Sequence, residues 1–315
     1  MKERVLITGA DGFIGKNLVK YFNKNNIETV EWNTPYVVPD AEVLDSIDEV
    51  IHLGAISSTT ETDVDLILDH NYKFSYKLLQ QCIERGIDFQ YASSASVYGK
   101  KNGFTLDEIK SKQDELLKNG ENPILDPMDH DGIHEDCLPD PQNAYAWSKY
   151  MFDRLVKDTL RLQIPIQIKG FRYFNVYGPH EEHKGEQASV ISKWVRDNKA
   201  ELFEDSKSMF RDFVHVKDIC EIHRRMLDLP YSGIYNVGTG VCYSFEHLAN
   251  LMTFHKGFST YKKEMPENLK AHYQYYTKAD SKMLEAALGN DFDWTEIVQF
   301  LTDLDMTDPN PLNWE

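Results

Sequence analysis

Three features are scarce in this 315-residue chain, and each scarcity removes a class of function. Cysteine occurs four times, at Cys82, Cys137, Cys220 and Cys242, dispersed and with no Cys-x-x-Cys pair. That spacing speaks against a disulfide framework or a thiolate metal site and leaves reduced structural thiols. Positive charge is short: 34 Lys and Arg stand against 51 Asp and Glu, a net charge of −17. Nucleic acid or an anionic membrane surface is therefore a disfavoured partner, and an anionic small ligand needs a local basic pocket. No apolar run is long enough to span a bilayer, and the strand-like residues that begin at Arg4 leave no room for a signal peptide. The expectation is a cytoplasmic protein with no metal and no membrane partner. The length suffices for a sizeable core, in one α/β unit or in two lobes, and no internal repeat occurs.

What is present starts at residue 4. Arg4-Val5-Leu6-Ile7-Thr8 is a short apolar run suited to a buried parallel strand. It passes directly into Gly9-Ala10-Asp11-Gly12-Phe13-Ile14-Gly15, three glycines at a spacing of three, and then a helix-like stretch. Small residues let the backbone turn tightly and approach a pyrophosphate, whose charge is met by the helix N-terminus. A glycine turn that binds nothing has the same spacing; the strand before and the helix after favour a dinucleotide site.

Strand-like segments at 4–8, 27–31, 49–54, 88–92 and 166–172 alternate with helical ones at 13–24, 67–85 and 144–161. That alternation predicts an α/β fold, a doubly wound parallel sheet of the Rossmann kind. Two segments are irregular. Between Glu31 and Val50 lie eighteen residues, too few for a helix, a strand and another helix. From about 100 to 141 the chain is polar, acidic and rich in Gly, Pro and Asp, with one plausible helix at Leu106–Lys118. This insertion reads either as a lid that excludes water or as a surface excursion.

After the fourth strand comes Ser93-Ser94-Ala95-Ser96-Val97-Tyr98-Gly99, and later Tyr145-Ala146-Trp147-Ser148-Lys149. Ligands in such sheets bind at the carboxyl ends of strands, which puts a serine hydroxyl within reach of a substrate oxygen. Tyr145 and Lys149 at i, i+4 share one helix face. A neighbouring ammonium favours phenolate, so Tyr145 is expected to have a lowered pKa and to serve as an acid or base near neutral pH.

In this order the residues resemble the extended short-chain dehydrogenases, the family of nucleotide-sugar epimerases and dehydratases. His52-Leu53-Gly54-Ala55-Ile56-Ser57-Ser58-Thr59-Thr60-Glu61, Phe171-Arg172-Tyr173-Phe174-Asn175-Val176-Tyr177-Gly178-Pro179, His183-Lys184-Gly185 and Arg211-Asp212-Phe213-Val214 are similar to its ADP-glycero-manno-heptose 6-epimerase branch. The resemblance implies a dinucleotide-binding domain over residues 1–174, a smaller substrate-binding lobe built mainly from 175–315, and a homo-oligomer. It implies a nucleotide-diphosphate sugar substrate and a tightly held NAD or NADP that takes hydride from a carbinol carbon and returns it to the opposite face. Ser94, Tyr145, Lys149 and Lys184 are the implied catalytic set, with Lys184 the second proton-transfer group unless it is a solvated loop lysine. The cofactor set is Gly9, Gly12, Phe13, Ile14, Gly15, Leu53, Gly54, Ala55, Ser57, Asn71 and Val176, besides Tyr145 and Lys149, with Asn71 in a positioning role. Asn175, Phe203, Ser206, Arg211 and Tyr273 are implied on the substrate, although Arg211 beside Asp212 could be a plain ion pair.

Departures from the pattern are as informative. Glu186 stands where the family has serine and Lys193 where it has histidine, both at substrate-contacting positions. The short 31–50 link lacks the lysines that serve a 2′-phosphate. Glu31 at the strand end is suited to accept from a ribose 2′-OH, which favours NAD over NADP. A 4-epimerase or a 3,5-epimerase/reductase would use the same Ser, Tyr and Lys. A 4,6-dehydratase fits less well, because Ala95-Ser96 follows Ser94 and no Thr-Asp-Glu set is present. A non-catalytic dinucleotide-binding regulator needs neither Tyr145 nor Lys149, and both are intact.

Overall fold

The computed structural model describes residues 4–59, 61–123, 126–270, 273–289 and 291–314. In chain order the elements begin with β1 (Arg4–Thr8), α1 (Phe13–Lys24), β2 (Glu28–Trp32), the single turn α2 (Ala41–Leu44) and β3 (Glu49–His52). α3 (Val64–Leu68), a π-turn at Asp69–Lys73 and α4 (Phe74–Arg85) run as one helical stretch into β4 (Asp88–Ser94). Then follow α5 (Leu106–Lys118), α6 (Ala144–Leu160), β5 (Ile168–Tyr173) and β6 (Asn175–Tyr177). The remainder comprises α7 (Val190–Asp197), β7 (Lys199–Phe203), β8 (Phe210–His215), α8 (Val216–Met226), β9 (Gly233–Val237), β10 (Cys242–Ser244) and α9 (Phe245–Lys256). β11 (Ser259–Lys263), α10 (Glu267–Lys270), β12 (Tyr276–Thr277), α11 (Lys282–Leu288) and α12 (Ile297–Asp303) complete it.

Six strands form one parallel sheet in the order β2-β1-β3-β4-β5-β9. The period of two along each strand distributes its apolar residues to both faces. Leu6 and Val50 pack with Leu78, Phe89, Phe152 and Val156 under α4 and α6. Val5, Ile7 and Ile51 pack with Leu18, Phe22 and Cys220 under α1 and α8. The sheet is thus covered on both sides, and the strand order turns back between β1 and β3. A crevice opens at their carboxyl ends, where ligands of such sheets bind.

The five strand segments anticipated from the sequence are found with ends shifted by up to two residues, and β9 is an addition to them. The tight link holds only α2, so β2 is left as the sheet's edge. A smaller body of strands, β10-β8-β12 with β6 paired to β8, and β7 paired to β11, carries the rest.

The 100–141 segment is neither a free lid nor a bare excursion. Its helix α5 has the expected bounds and a capping box, Thr105 Oγ1 accepting from Glu108 N while the Glu108 carboxylate accepts from Thr105 N. Ile109 and Ile133 are buried, as is Glu135. Gln113 donates to Lys207 O at 2.9 Å and accepts from Ser208 Oγ at 2.6 Å, while Tyr276 OH donates to Asp126 at 2.8 Å. Asn236 N donates to the Glu135 carboxylate at 2.8 Å, and Arg172 donates to Glu135 O at 3.0 Å. The insertion is therefore stitched both to the smaller body and to the ends of β5 and β9.

Candidate functional site

Asn143 caps α6, its Oδ1 accepting from Ala146 N at 2.9 Å, and Tyr145 falls in the first turn. The hydroxyl of Ser94, the last residue of β4, lies close enough to its phenol to act on it electrostatically. Lys149, one turn on, lies on the same face with Nζ 5.9 Å from the centre of the Tyr145 ring. Its ammonium donates to Ala92 O at 2.8 Å. The expected lowering of the tyrosine pKa is not found. Burial raises the Tyr145 pKa, the Ser94 hydroxyl partly offsets that, and Asp153 adds to the rise. Burial also pulls Lys149 down to about 8, against the opposing influence of Asp153. The low dielectric that sharpens electrostatics in such a site disfavours both charged forms.

Asn71 sits on the π-turn, where its side chain accepts from Ile56 N at 2.8 Å and donates to Ile56 O at 2.9 Å. It also donates to Ser148 Oγ at 3.1 Å, and that hydroxyl donates to Tyr145 O at 2.7 Å. Asn71 thus holds the loop after β3 against the helix that carries Tyr145.

The glycine loop has the form an anion site needs. Gly9 has φ +70°, and a Cβ there would lie 2.7 Å from Gly54 Cα, so the two loops approach backbone to backbone. Gly12 caps α1 with no side-chain hydrogen bond, and the first turn holds no acidic residue, leaving its N–H groups for a phosphate. Beside the loop is a cleft of 260 Å³ lined by Gly9, Asp11, Trp32, Asn33, Gly54 and Ala55 among others. Glu31 is exposed and lies outside this lining. β2 extends one residue further than anticipated, with Trp32 O accepting from Gly9 N. Asn33, the first residue past the strand, therefore faces the loop, and its Oδ1 accepts from Asp11 N at 3.0 Å. Tyr36 and His70, whose rings stack, also line the cleft and have no motif that would have marked them.

Lys184 reaches the loop from another part of the chain, with Nζ 4.6 Å from the centre of the Phe13 ring. It lies 3.5 Å from the carboxylate of Glu181, a buried residue that also accepts from Ser189 N at 2.8 Å and Ser192 Oγ at 2.7 Å. Ile14 and Val176 pack together into the core beneath, and Leu53 joins the cluster of α1 and α8.

A second cleft, also of 260 Å³, gathers Glu186, Lys193, Phe203, Phe245 and Tyr273. Lys193 donates to Glu186 O at 3.3 Å, so the two departures from the family pattern are neighbours on one wall. Arg211 lies alongside, its guanidinium 5.0 Å from the Tyr273 ring centre and 5.5 Å from that of Phe245. It donates to Phe210 O at 2.8 Å and to Gln274 O. Burial lowers its pKa. Ser206 is not in the lining: it is buried and donates to Glu246 Oε2 at 3.0 Å. Asn175 Oδ1 accepts from Thr277 Oγ1 at 3.5 Å. Among the described residues no cluster is placed to hold a metal ion, and no helix is long and apolar enough to cross a membrane.

The pattern of the NAD dependent epimerase/dehydratase family matches residues 5–238, from β1 to the residue after β9. The chain belongs to this family. Members of known structure share the epimerase/dehydratase fold with it. The ADP-L-glycero-D-manno-heptose-6-epimerase of Helicobacter pylori is 23% identical, with 95% of this chain and 93% of that one covered and a TM-score of 0.74. A UDP-N-acetylglucosamine 4-epimerase from Methanobrevibacter ruminantium M1 is 20% identical over 96% and 97% of the two chains, with a TM-score of 0.75. The UDP-glucose-4-epimerase of Stenotrophomonas maltophila, solved with bound NAD, is 18% identical over 96% of each chain, with a TM-score of 0.74.

Proposed function

We infer that this epimerase/dehydratase family member is a nucleotide-sugar epimerase that works by transient oxidation with a retained NAD, and that its substrate is an ADP-glycero-manno-heptose inverted at C6. The observation that carries the reading is the convergence of Ser94 and Lys149 on Tyr145, the first acting on its phenol and the second 5.9 Å from its ring centre, together with a glycine loop whose helix N-terminus is left open. The bound cofactor supplies a hydride acceptor that becomes the hydride donor. Tyr145 takes the proton of the reacting hydroxyl in one half-reaction, Lys184 supplies a proton to the ketone oxygen in the other, and the two exchange with solvent between turnovers, while Ser94 hydrogen-bonds the reacting oxygen. Lys149 holds the ribose next to the nicotinamide and adds a positive charge near the phenol. Lys184, brought to Phe13 from the far side, serves as the proton-transfer group for the opposite face. Gly9, Gly12, Gly15, Gly54, Ala55 and Asn33 hold the dinucleotide. Arg211 takes the substrate diphosphate with its planar fork, and Phe203 and Tyr273 flank the nucleotide.

A second assignment that would use the same Ser, Tyr and Lys, a 4-epimerase or a 3,5-epimerase/reductase, is favoured by one observation. Glu186 and Lys193 place a carboxylate and an ammonium on the wall of the second cleft, at positions where the family has serine and histidine. The test incubates the protein with ADP-D-glycero-D-manno-heptose, no cofactor added, and follows the sugar by NMR. The L-glycero epimer is the expected product; no conversion after NAD and NADP are each supplied removes the heptose assignment. A homo-oligomer in the cytoplasm belongs to the same reading, and its mass by light scattering checks the first part.

A further inference from the structure

Beneath the dinucleotide cleft runs a hydrogen-bond chain that none of the steps above uses. Gly54 N donates to Thr8 Oγ1 at 3.1 Å, and Thr8 Oγ1 lies 2.7 Å from His52 Nδ1. Across the ring, His52 Nε2 lies 2.6 Å from Ser75 Oγ, whose hydroxyl donates to Asn71 O at 2.7 Å. Donor counting leaves one arrangement. Ser75 has given its only proton to Asn71 O, so Nε2 must carry the hydrogen that Ser75 accepts. Nδ1 is then the acceptor for the Thr8 hydroxyl, whose oxygen receives the Gly54 N–H. His52 is the neutral Nε2–H tautomer, assigned from the network. Burial, with the Lys149 charge adding to it, holds its pKa at about 3.

Both ends of this chain arrive at parts that would touch cofactor or substrate. Thr8 ends β1 directly before Gly9, and Gly54 lies in the loop after β3 that Gly9 approaches backbone to backbone. Asn71 clamps Ile56 and, through Ser148, reaches the backbone oxygen of Tyr145. The π-turn that carries Asn71 is the kind of local irregularity often found at functional sites. The rings of Phe74 and Phe89, centred 5.5 and 6.0 Å from that of His52, flank the imidazole. His52 is itself buried, so water is poorly placed to replace a lost partner. A buried histidine at a strand end is ordinarily just a satisfied core residue. His52 differs because its two partners lie on the two separate segments that build the site.

We propose that His52 is a positioning residue: through Thr8 it sets the glycine loop against the loop after β3, and through Ser75 and Asn71 it sets α6, and so Tyr145, relative to that cleft. This rests on the functional reading above.

The test measures NAD affinity by calorimetry, and turnover on the nucleotide sugar, for the full chain, His52→Phe and Ser75→Ala. Phenylalanine keeps the ring volume and removes both hydrogen bonds; the expected result is an NAD Kd raised about tenfold, which is ~1.4 kcal/mol, with kcat lowered. Ser75→Ala cuts only the far link, so kcat falls roughly tenfold while the NAD Kd stays within about twofold. His52→Phe with wild-type NAD affinity and only a lower Tm makes His52 a plain core residue and overturns the proposal. So does Ser75→Ala with wild-type kcat, which decides alone if His52→Phe does not fold. A wild-type chain that binds no NAD overturns the functional reading and this proposal together, whereas NAD binding by the wild type and His52→Phe with equal affinity overturns the proposal alone.

Discussion

Arg211 and Asp212 are adjacent on β8 and point to opposite sides of it. The guanidinium faces the rings of Tyr273 and Phe245, while the carboxylate accepts from Ala279 N, Thr239 N, Thr239 Oγ1 and Gly240 N at 2.8–3.0 Å. Alternation along a strand forbids the ion pair that their adjacency suggests. One of the two is fully partnered, and the other holds a buried charge met by carbonyl oxygens and aromatic faces.

Arg211→Met should therefore weaken binding of the nucleotide diphosphate by ~1.5–3 kcal/mol, the loss of a charged hydrogen bond. It should leave NAD affinity unchanged. Calorimetry with ADP and with NAD separates the two; an equal loss for both would place Arg211 in a purely structural role.

Tyr145→Phe keeps the ring and removes the acid/base. Turnover should drop by roughly 10²- to 10⁴-fold, with NAD still bound. The NMR assay with equal enzyme concentrations reads the first and calorimetry the second. Unchanged turnover would remove Tyr145 from the chemistry.

The 260 Å³ cleft beside the glycine loop holds Asp11 and Asn33, and among the described residues no lysine or arginine lines it. A 2′-phosphate there finds no cation, so NADP should bind more weakly than NAD by ~1–3 kcal/mol, the scale of an unpaired polar group. Competitive titration of the two dinucleotides checks this, and tighter NADP would refute it.

Stability should fall as pH drops from 6.5 toward 3. Burial holds His52, His215 and His223 at about 3 against an ordinary 6.5, so between those values the unfolded chain binds protons that the folded chain refuses. Asp212 and Asp218 act oppositely. Burial raises both from 3.8 to about 6, so their contribution is full below 3.8 and lost as pH rises through 6. Three groups with the wider separation outweigh two with the narrower. Urea midpoints measured between pH 7 and 4 should decline, and a rise over that range would contradict the balance.

Local pattern carried much of the fold. The Gly9-Gly12-Gly15 spacing, the helix over Leu106–Lys118 with its Thr105 and Glu108 cap, and the i, i+4 placement of Tyr145 and Lys149 all depend on residues within a turn or two. β9 was not legible, because Gly233–Val237 is strand only through its pairing with Ile168–Tyr173 far upstream. Glu31 was read as the strand end because that end cannot be placed to a single residue without its partner; Gly9 N on Trp32 O puts it one residue later. Ser206 was expected to flank the substrate's nucleotide, and nothing local reveals that Glu246, forty positions on, receives its hydroxyl.

By itself the amino-acid sequence determined the alternating α/β order, the open helix N-terminus behind the glycine loop, and the residue types able to pass a proton. Only the tertiary structure decided the electrostatic state of those residues and the company they keep. It raised Tyr145, lowered Lys149, carried Lys184 to Phe13, fastened the insertion, and joined Thr8 to Asn71 through His52 and Ser75. The reason is that hydrogen-bond geometry and desolvation depend on which distant segments exclude water from one another, and spacing along the chain does not record that.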